Sequence, residues 1–298
     1  MTSPEAEPQF IKALTYSEES SLNTLELCLP RPLSAEGDIL RYWIVYIHGG
    51  AWRDPAIDAT SFEPMQQRLL QSKVNDQIAG CASINYRLSS YPSHPSNPSD
   101  PSDPARNARH PDHINDVLTA LLYLQNAYGF RDRYVLVGHS CGATLALQVA
   151  VKRYWGLQYE STYALEHNVK PPVAIVGLEG IYDVQAFDRN HRDQPIYKDF
   201  LDNAFGSADW GVISPTSGRF GDSWPDGKLV VIAHSSADEL VEPEQAKLIQ
   251  ACLAAQGWQE SDQRRVKFVE LNSGHDEVWQ TGEAAKAIEV AISLLTEI

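Results

Sequence analysis

The chain has 298 residues, 43% of them hydrophobic and 21% charged, with 18 glycines and 18 prolines. This ordinary globular composition excludes a disordered, collagen-like or coiled-coil protein. The net charge of −15, with no cluster of Lys and Arg to offset it, speaks against a nucleic-acid partner, because an acidic surface repels a phosphate backbone.

In chain order, residues 1–10 are polar and acidic and lack the basic and apolar regions of a secretory signal. Residues 1–20 read as a loosely ordered segment. Residues 22–28 are expected to add an antiparallel edge strand. Apolar runs rich in β-branched residues follow at 43–47, 81–86, 134–137, 173–178, 228–233 and 266–271. Runs apolar nearly throughout and bounded by turn residues fit strands buried on both faces, as in parallel sheets. Helical patterns lie between them, at 112–128, 143–154, 243–255 and 277–295. The first places Ile114, Val117, Leu118, Leu121, Leu122 and Leu124 on one helical face. This alternation predicts a single α/β domain over 1–298, with a mostly parallel central sheet flanked by helices.

Two kinds of stretch break the pattern. Residues 89–104 read SSYPSHPSNPSDPSDP, with proline recurring every third residue. Proline supplies no ladder donor and favours extended backbone, so a surface loop insertion with no function of its own is expected there. Residues 154–170 and 183–219 are mixed in pattern and are expected to form small helical cap insertions over the sheet. No apolar run is long enough to cross a bilayer, which predicts no membrane partner. Cys28, Cys81, Cys141 and Cys252 are widely scattered and read as free thiols of a reducing compartment, so the expected location is cytoplasmic.

Gly138, His139, Ser140, Cys141 and Gly142 match G-x-S-x-G, between the strand at 134–137 and a helix beginning near Ala143. A strand turning sharply into a helix holds the serine in a strained conformation, and glycines on either side avoid clashes. The pattern predicts Ser140 as a nucleophile raised above the sheet edge. His48, Gly49, Gly50, Ala51 and Trp52 also follow directly on a strand. Consecutive glycines there free backbone N–H groups to meet charge developing on a carbonyl oxygen. Gly49, Gly50 or Ala51 are expected to supply one or two such donors, and Cys141 the other through its backbone. His48 is expected to prop its loop by hydrogen bonding.

These motifs, with Asn-Tyr-Arg-Leu at 85–88 and the H-P-x-H-x-x-D-V pattern at 110–117, resemble the α/β-hydrolase superfamily in its hormone-sensitive-lipase-like branch. Within it they resemble the kynurenine formamidases, especially those of fungal type. The resemblance spans residues 48–275 and implies an α/β-hydrolase fold with chain order Ser, acid, His. Asp238, after the strand at 228–233, is favoured as the acid over Asp183, which follows an earlier strand. Glu239 reads as a solvated loop charge. Among nine histidines, His275 alone sits in a loop between the last strand and the last helix, where a base can reach over the sheet edge. His110 and His113, three residues apart and followed by Asp116, make an incomplete zinc constellation. They read instead as part of a helix entry that uses Pro111 and Asp112, and neither metal nor cofactor is expected.

The resemblance implies N-formyl-L-kynurenine as substrate, cut to formate and L-kynurenine by Ser140, Asp238 and His275 in tryptophan breakdown toward NAD. Trp52, Tyr86 and Trp279 are the aromatic candidates for lining the substrate site. The alternative is a broad-specificity carboxylesterase on the same triad. The expected partner is a small-molecule substrate, with a homodimer left open.

Overall fold

Each residue of Tyr42–Ile47, Ile78–Ile84, Tyr134–His139 and Leu229–Ser235 is buried, the mark of strands covered on both faces. The computed structural model describes residues 7–33, 40–155, 168–206, 208–259 and 263–297. In chain order its principal elements are β1 (Gln9–Thr15), β2 (Thr24–Leu29), β3 (Tyr42–Ile47), α1 (Glu63–Gln71), β4 (Ile78–Ile84), α2 (Asp112–Tyr128), β5 (Tyr134–His139) and α3 (Cys141–Val149). Then come β6 (Ala174–Leu178), α4 (Val184–Asn190), α5 (Pro195–Phe205), β7 (Leu229–Ser235), α6 (Glu244–Ala254), β8 (Arg265–Leu271) and α7 (Ala285–Leu295).

The strands form one sheet in the order β1-β2-β4-β3-β5-β6-β7-β8, parallel from β4 to β8 and antiparallel at β1 and β2. Side chains alternate across it. Trp43, Val45 and Ile47 face the layer of α2, α3 and α6, while Ile44 and Tyr46 face α1 and α7. Burying one such aliphatic side chain stabilises by about 1.5–3 kcal/mol, so the two-sided cover of the central strands is the main source of stability. This is the expected α/β-hydrolase architecture. Because the central strands run parallel, the loops after β3, β5, β6, β7 and β8 all leave the same sheet edge, and side chains far apart in sequence meet there.

Four local expectations need correction. Within residues 1–20, Gln9–Thr15 is a strand, so β2 is not the edge; β1 is mostly exposed and exists because β2 offers it hydrogen-bonding partners. Residues 1–6 lie outside the described residues. The helix expected over 277–295 is broken into Glu277–Gln280 and α7, with Gly282 between them at φ 71°. Helix α3 stops at Val149, and a single 3-10 turn at Lys152–Tyr154 follows. Helix α1, opened by Pro64 in its first turn, has no counterpart in the sequence reading. The cap expected over 183–219 is present as α4, α5 and the single-turn helix Trp210–Ile213. Its expected companion at 154–170 falls mainly on residues 156–167, outside the described residues. Among the described residues, no helix is long and apolar enough to cross a membrane.

Candidate active site

Strand β5 passes into α3 through Ser140, whose backbone takes φ 55° and ψ −122°. A non-glycine residue at positive φ is strained and persists only where its surroundings enforce it. Here the enforcement is crowding. A Cβ on Gly138 would stand 2.2 Å from the Gly142 carbonyl oxygen, and one on Gly142 would stand 2.3 Å from that of Ile47. Only glycine permits this approach of the elbow to the end of β3. The Ser140 N–H donates to the Leu178 carbonyl at 2.8 Å, tying the elbow to β6.

His275, in the loop after β8, lines the same cavity as Ser140. Its Nδ1–H donates to Asp238 Oδ2 at 2.9 Å, leaving Nε2 as the basic nitrogen. Asp238 leaves the end of β7, and its side chain is fully buried. Its Oδ1 accepts from the N–H groups of Leu240 and Val241, each at 2.9 Å. Burial pushes the Asp238 carboxyl upward, but hydrogen bonding and charge from His275 outweigh it and hold the group below the ordinary carboxylate range. Asp183 takes no part in this pairing. It caps α4, with Oδ1 accepting from the Ala186 N–H at 2.8 Å and Oδ2 from Thr216 Oγ1 at 3.0 Å. Glu239 is exposed as expected, yet its Oε2 accepts from the His275 backbone N–H at 3.1 Å and so helps hold the histidine loop.

Gly50 and Ala51 border the cavity beside Ser140. Cys141 begins α3, where a first-turn N–H lacks an intrahelical partner. Its thiol accepts from the Trp52 N–H at 3.2 Å, and burial raises its pKa to about 11, so it stays a neutral thiol. His48 is buried, lowered to about 4 and therefore neutral; its Nδ1 donates to the Gly49 carbonyl at 2.9 Å. That is the propping role expected of it.

A family model described as BD-FAE matches residues 32–253 of the chain. A kynurenine formamidase-like hydrolase from Fusarium equiseti is 40% identical, covering 97% of this chain and 95% of its own length. A kynurenine formamidase from Aspergillus versicolor is 35% identical, covering 91% and 94%. The chain belongs to the BD-FAE family and is a relative of the fungal kynurenine formamidases. Among solved structures, a truncated carbohydrate esterase from gut microbiota superposes with TM-score 0.67 at 18% identity, over 98% of this chain and 99% of the other. Esterase B from Lactobacillus rhamnosis gives 0.66 at 14% identity, over 98% and 85%. At such identities the likeness concerns the α/β-hydrolase fold alone.

Within this BD-FAE member the cavity measures about 330 Å³, the size of a small-molecule site. Its aromatic walls are not the expected ones. Trp52 is wholly buried and packs edge-on against Phe205 at 4.8 Å. Tyr86 is buried under the His48 loop, stacked on His48 at 4.4 Å, and donates from its hydroxyl to the His48 carbonyl at 3.0 Å. Trp279 binds Asp276 Oδ1 through Nε1 at 3.1 Å and lies outside the lining. The lining aromatics are Tyr91, Phe187, Tyr197 and Phe200. Three come from α4 and α5, and Tyr91 comes from the proline-rich loop, which therefore does contribute to the site. Trp52, at positive φ in the turn after β3, and Tyr86, just past the end of β4, are turned into the core, whereas a wall is built by whatever elements the fold lays over the sheet edge.

A second layer behind the Asp238–His275 pair also escaped the sequence reading. Glu179, at the end of β6, is wholly buried, and its two oxygens accept from the Ser235 N–H at 3.1 and 3.2 Å. Its Oε2 lies 3.1 Å from His234 Nδ1. His234 Nε2 donates to the Val241 carbonyl at 3.0 Å, so in the neutral ring Nδ1 is an acceptor. Despite that approach, His234 Nδ1 has no hydrogen-bond partner among the described residues. Burial, a side-chain hydrogen bond to Asp238 and the Asp238 charge all push the Glu179 carboxyl up, which makes Glu179 the protonated member of that carboxyl pair, while burial pushes His234 down. On the other side, His139 is neutral, lowered to about 3 by burial, and donates from Nε2 to the His275 carbonyl at 3.0 Å. Two groups of three His and acid donors occur among the described residues: Glu179 with His234 and Asp238, and His139 with His275 and Asp276. His110 and His113 join neither. His113 Nε2 pairs with Ser89 Oγ at 2.9 Å, and Pro111 and Asp112 open α2 as expected.

Proposed function

We propose that the protein is a serine hydrolase that cleaves the formamide of N-formyl-L-kynurenine to formate and L-kynurenine. The observation carrying the substrate is the 40% identity, over nearly the whole chain, with a kynurenine formamidase-like hydrolase. The chemistry is supported by Ser140 and His275 sharing one cavity, with His275 hydrogen-bonded to a buried carboxylate.

In this reading His275 Nε2 takes the Ser140 hydroxyl proton while Oγ attacks the formyl carbon. Asp238 holds the tautomer and stabilises the imidazolium. Backbone N–H groups of Gly49, Gly50 or Ala51, with that of Cys141, hold the oxyanion; removing one such donor costs about 3 kcal/mol of barrier in other hydrolases. His275 then returns the proton to the aryl nitrogen, the C–N bond breaks, and L-kynurenine leaves. Water, deprotonated by His275, hydrolyses the formyl-serine to formate. The residues need no cofactor for these steps. By the same reading the enzyme acts in the cytosol, in tryptophan breakdown toward NAD.

The test is turnover of purified protein on N-formyl-L-kynurenine against short p-nitrophenyl esters. A kcat/KM higher for the formamide is expected. Efficient cleavage of the esters with none of the formamide overturns the substrate and leaves a carboxylesterase.

A further inference from the structure

Arg53 is the sole cation among the described residues that line the cavity, which also holds Asp54 and Asp276. In a chain of net charge −15, an anionic ligand entering this space meets one favourable charge. The backbone aims it there. Ala51 and Trp52 both take positive φ, 50° and 59°, and the turn closes when the N–H groups of Arg53 and Asp54 donate to the Gly50 carbonyl at 2.9 and 2.8 Å. Trp52 drops into the core and Arg53, itself buried, reaches the wall of the cavity that Ser140 also lines.

The guanidinium is held as a rigid plate. It lies over the Tyr91 ring at 3.9 Å and near that of Phe200 at 5.7 Å. Its Nη1 pairs with Asp199 of α5, a side chain 52% exposed, while Arg53 itself is 3% exposed. The platform is itself pinned. His94 Nδ1 accepts from the Asn97 N–H at 2.9 Å, so its Nε2–H faces Asp54 Oδ1, 3.3 Å away. The Ser89 N–H donates to the Trp52 carbonyl at 2.8 Å, and the Tyr91 N–H to Ser99 Oγ at 2.8 Å. The proline-rich loop is thus fastened to the turn that carries Arg53. A guanidinium has five donors in a fork that matches a carboxylate, and Asp199 engages one of them from the rim.

We propose that Arg53, seated on Tyr91, is a carboxylate subsite, so that the cavity selects aryl formamides bearing an amino-acid carboxylate over those without one. This rests on the formamidase reading and deepens it. The test compares N-formyl-L-kynurenine with a carboxylate-free formanilide of the same ring. In Arg53→Gln, kcat/KM should fall by roughly 10- to 100-fold on the first substrate, through KM, and far less on the second. Arg53→Lys, which keeps the charge but not the fork, should fall between Gln and wild type. Asp199→Asn, at the rim, removes the competing carboxylate and should raise the preference for the carboxylated substrate; it serves if the Arg53 variants fail to fold. An equal loss on both substrates in Arg53→Gln, or an unchanged preference in Asp199→Asn, overturns the subsite. Should the wild type cleave neither formamide, the formamidase reading fails. The same ratio is then read on p-nitrophenyl hemisuccinate against p-nitrophenyl acetate, where no dependence on Arg53 overturns the subsite as well.

Discussion

The cavity has two sides built on different terms. The Ser140 side is backbone against backbone: an added Cβ on Gly138 would strike the Gly142 backbone, and one on Gly142 would strike the carbonyl at the end of β3. The far wall is side chains against side chains, supplied by α4, α5 and the loop carrying Tyr91, all laid over the sheet edge from insertions. Backbone crowding leaves a signature in sequence because only glycine satisfies it. A wall of aromatic rings leaves none, because many residues fill a wall and nothing local says which loop will supply it. In the proposed reading, chemistry belongs to the first side and substrate choice to the second.

Substitutions can break that division or sharpen it. The largest effect is expected at the elbow. Ser140→Ala should fold and lose about four to six orders of magnitude of kcat, since no acyl-enzyme forms. Residual turnover above a tenth of wild type would move the nucleophile elsewhere. Next come two aspartates that each follow a strand of the sheet, one on each side of the division. Asp238→Asn keeps the shape but not the imidazole tautomer, and a loss of about 10⁴ in kcat is expected by analogy with the same change in a serine protease. Asp183→Asn changes a helix cap that Asn also serves, so it should cost less than about 1 kcal/mol of stability and leave kcat within a few-fold. The pair is compared by steady-state kinetics at matched melting temperature, and a crippled Asp183→Asn beside an active Asp238→Asn would reverse the assignment.

On the far wall, Tyr91→Ala removes the platform under Arg53. It should raise KM by roughly 2- to 30-fold while kcat holds, the range of a partly desolvated cation–π contact. A fall in kcat with KM unchanged would place the loop on the chemical side instead. The smallest effect concerns Glu179. Its pKa is raised in the folded protein, so above the ordinary glutamate range the folded chain binds more protons than the unfolded chain. The stability this group contributes is complete below about pH 4.3 and is lost as pH rises toward its folded value. Glu179→Gln removes that dependence and keeps a neutral group of the same shape. Its melting temperature should therefore decline less than that of wild type between about pH 5 and about pH 9, with kcat changed only a few-fold. Parallel melting curves against pH, or a large loss of kcat in the folded variant, would mean that Glu179 works as an anion.

What the sequence determined by itself was the position along the chain of the sheet's core strands, the helix over 112–128, the turn at Ser140 and the glycine turn after β3; it also named Asp238 and His275, which the structure joins by a hydrogen bond. Strand periodicity and glycine crowding are local, so they are written locally, and chain order with a family resemblance supplied the rest. Tertiary structure decided everything that depends on what lies opposite. It made a strand of Gln9–Thr15 because β2 offered a partner, and it turned Trp52 and Tyr86 into packing beneath the site. It also brought Tyr91 from the proline-rich loop against Arg53, and set Glu179 behind Asp238 within a cluster whose ligand atoms lie within 4.8 Å of one another. Those contacts join residues from nine to many dozens of positions apart, and no period or motif of a single chain segment encodes them.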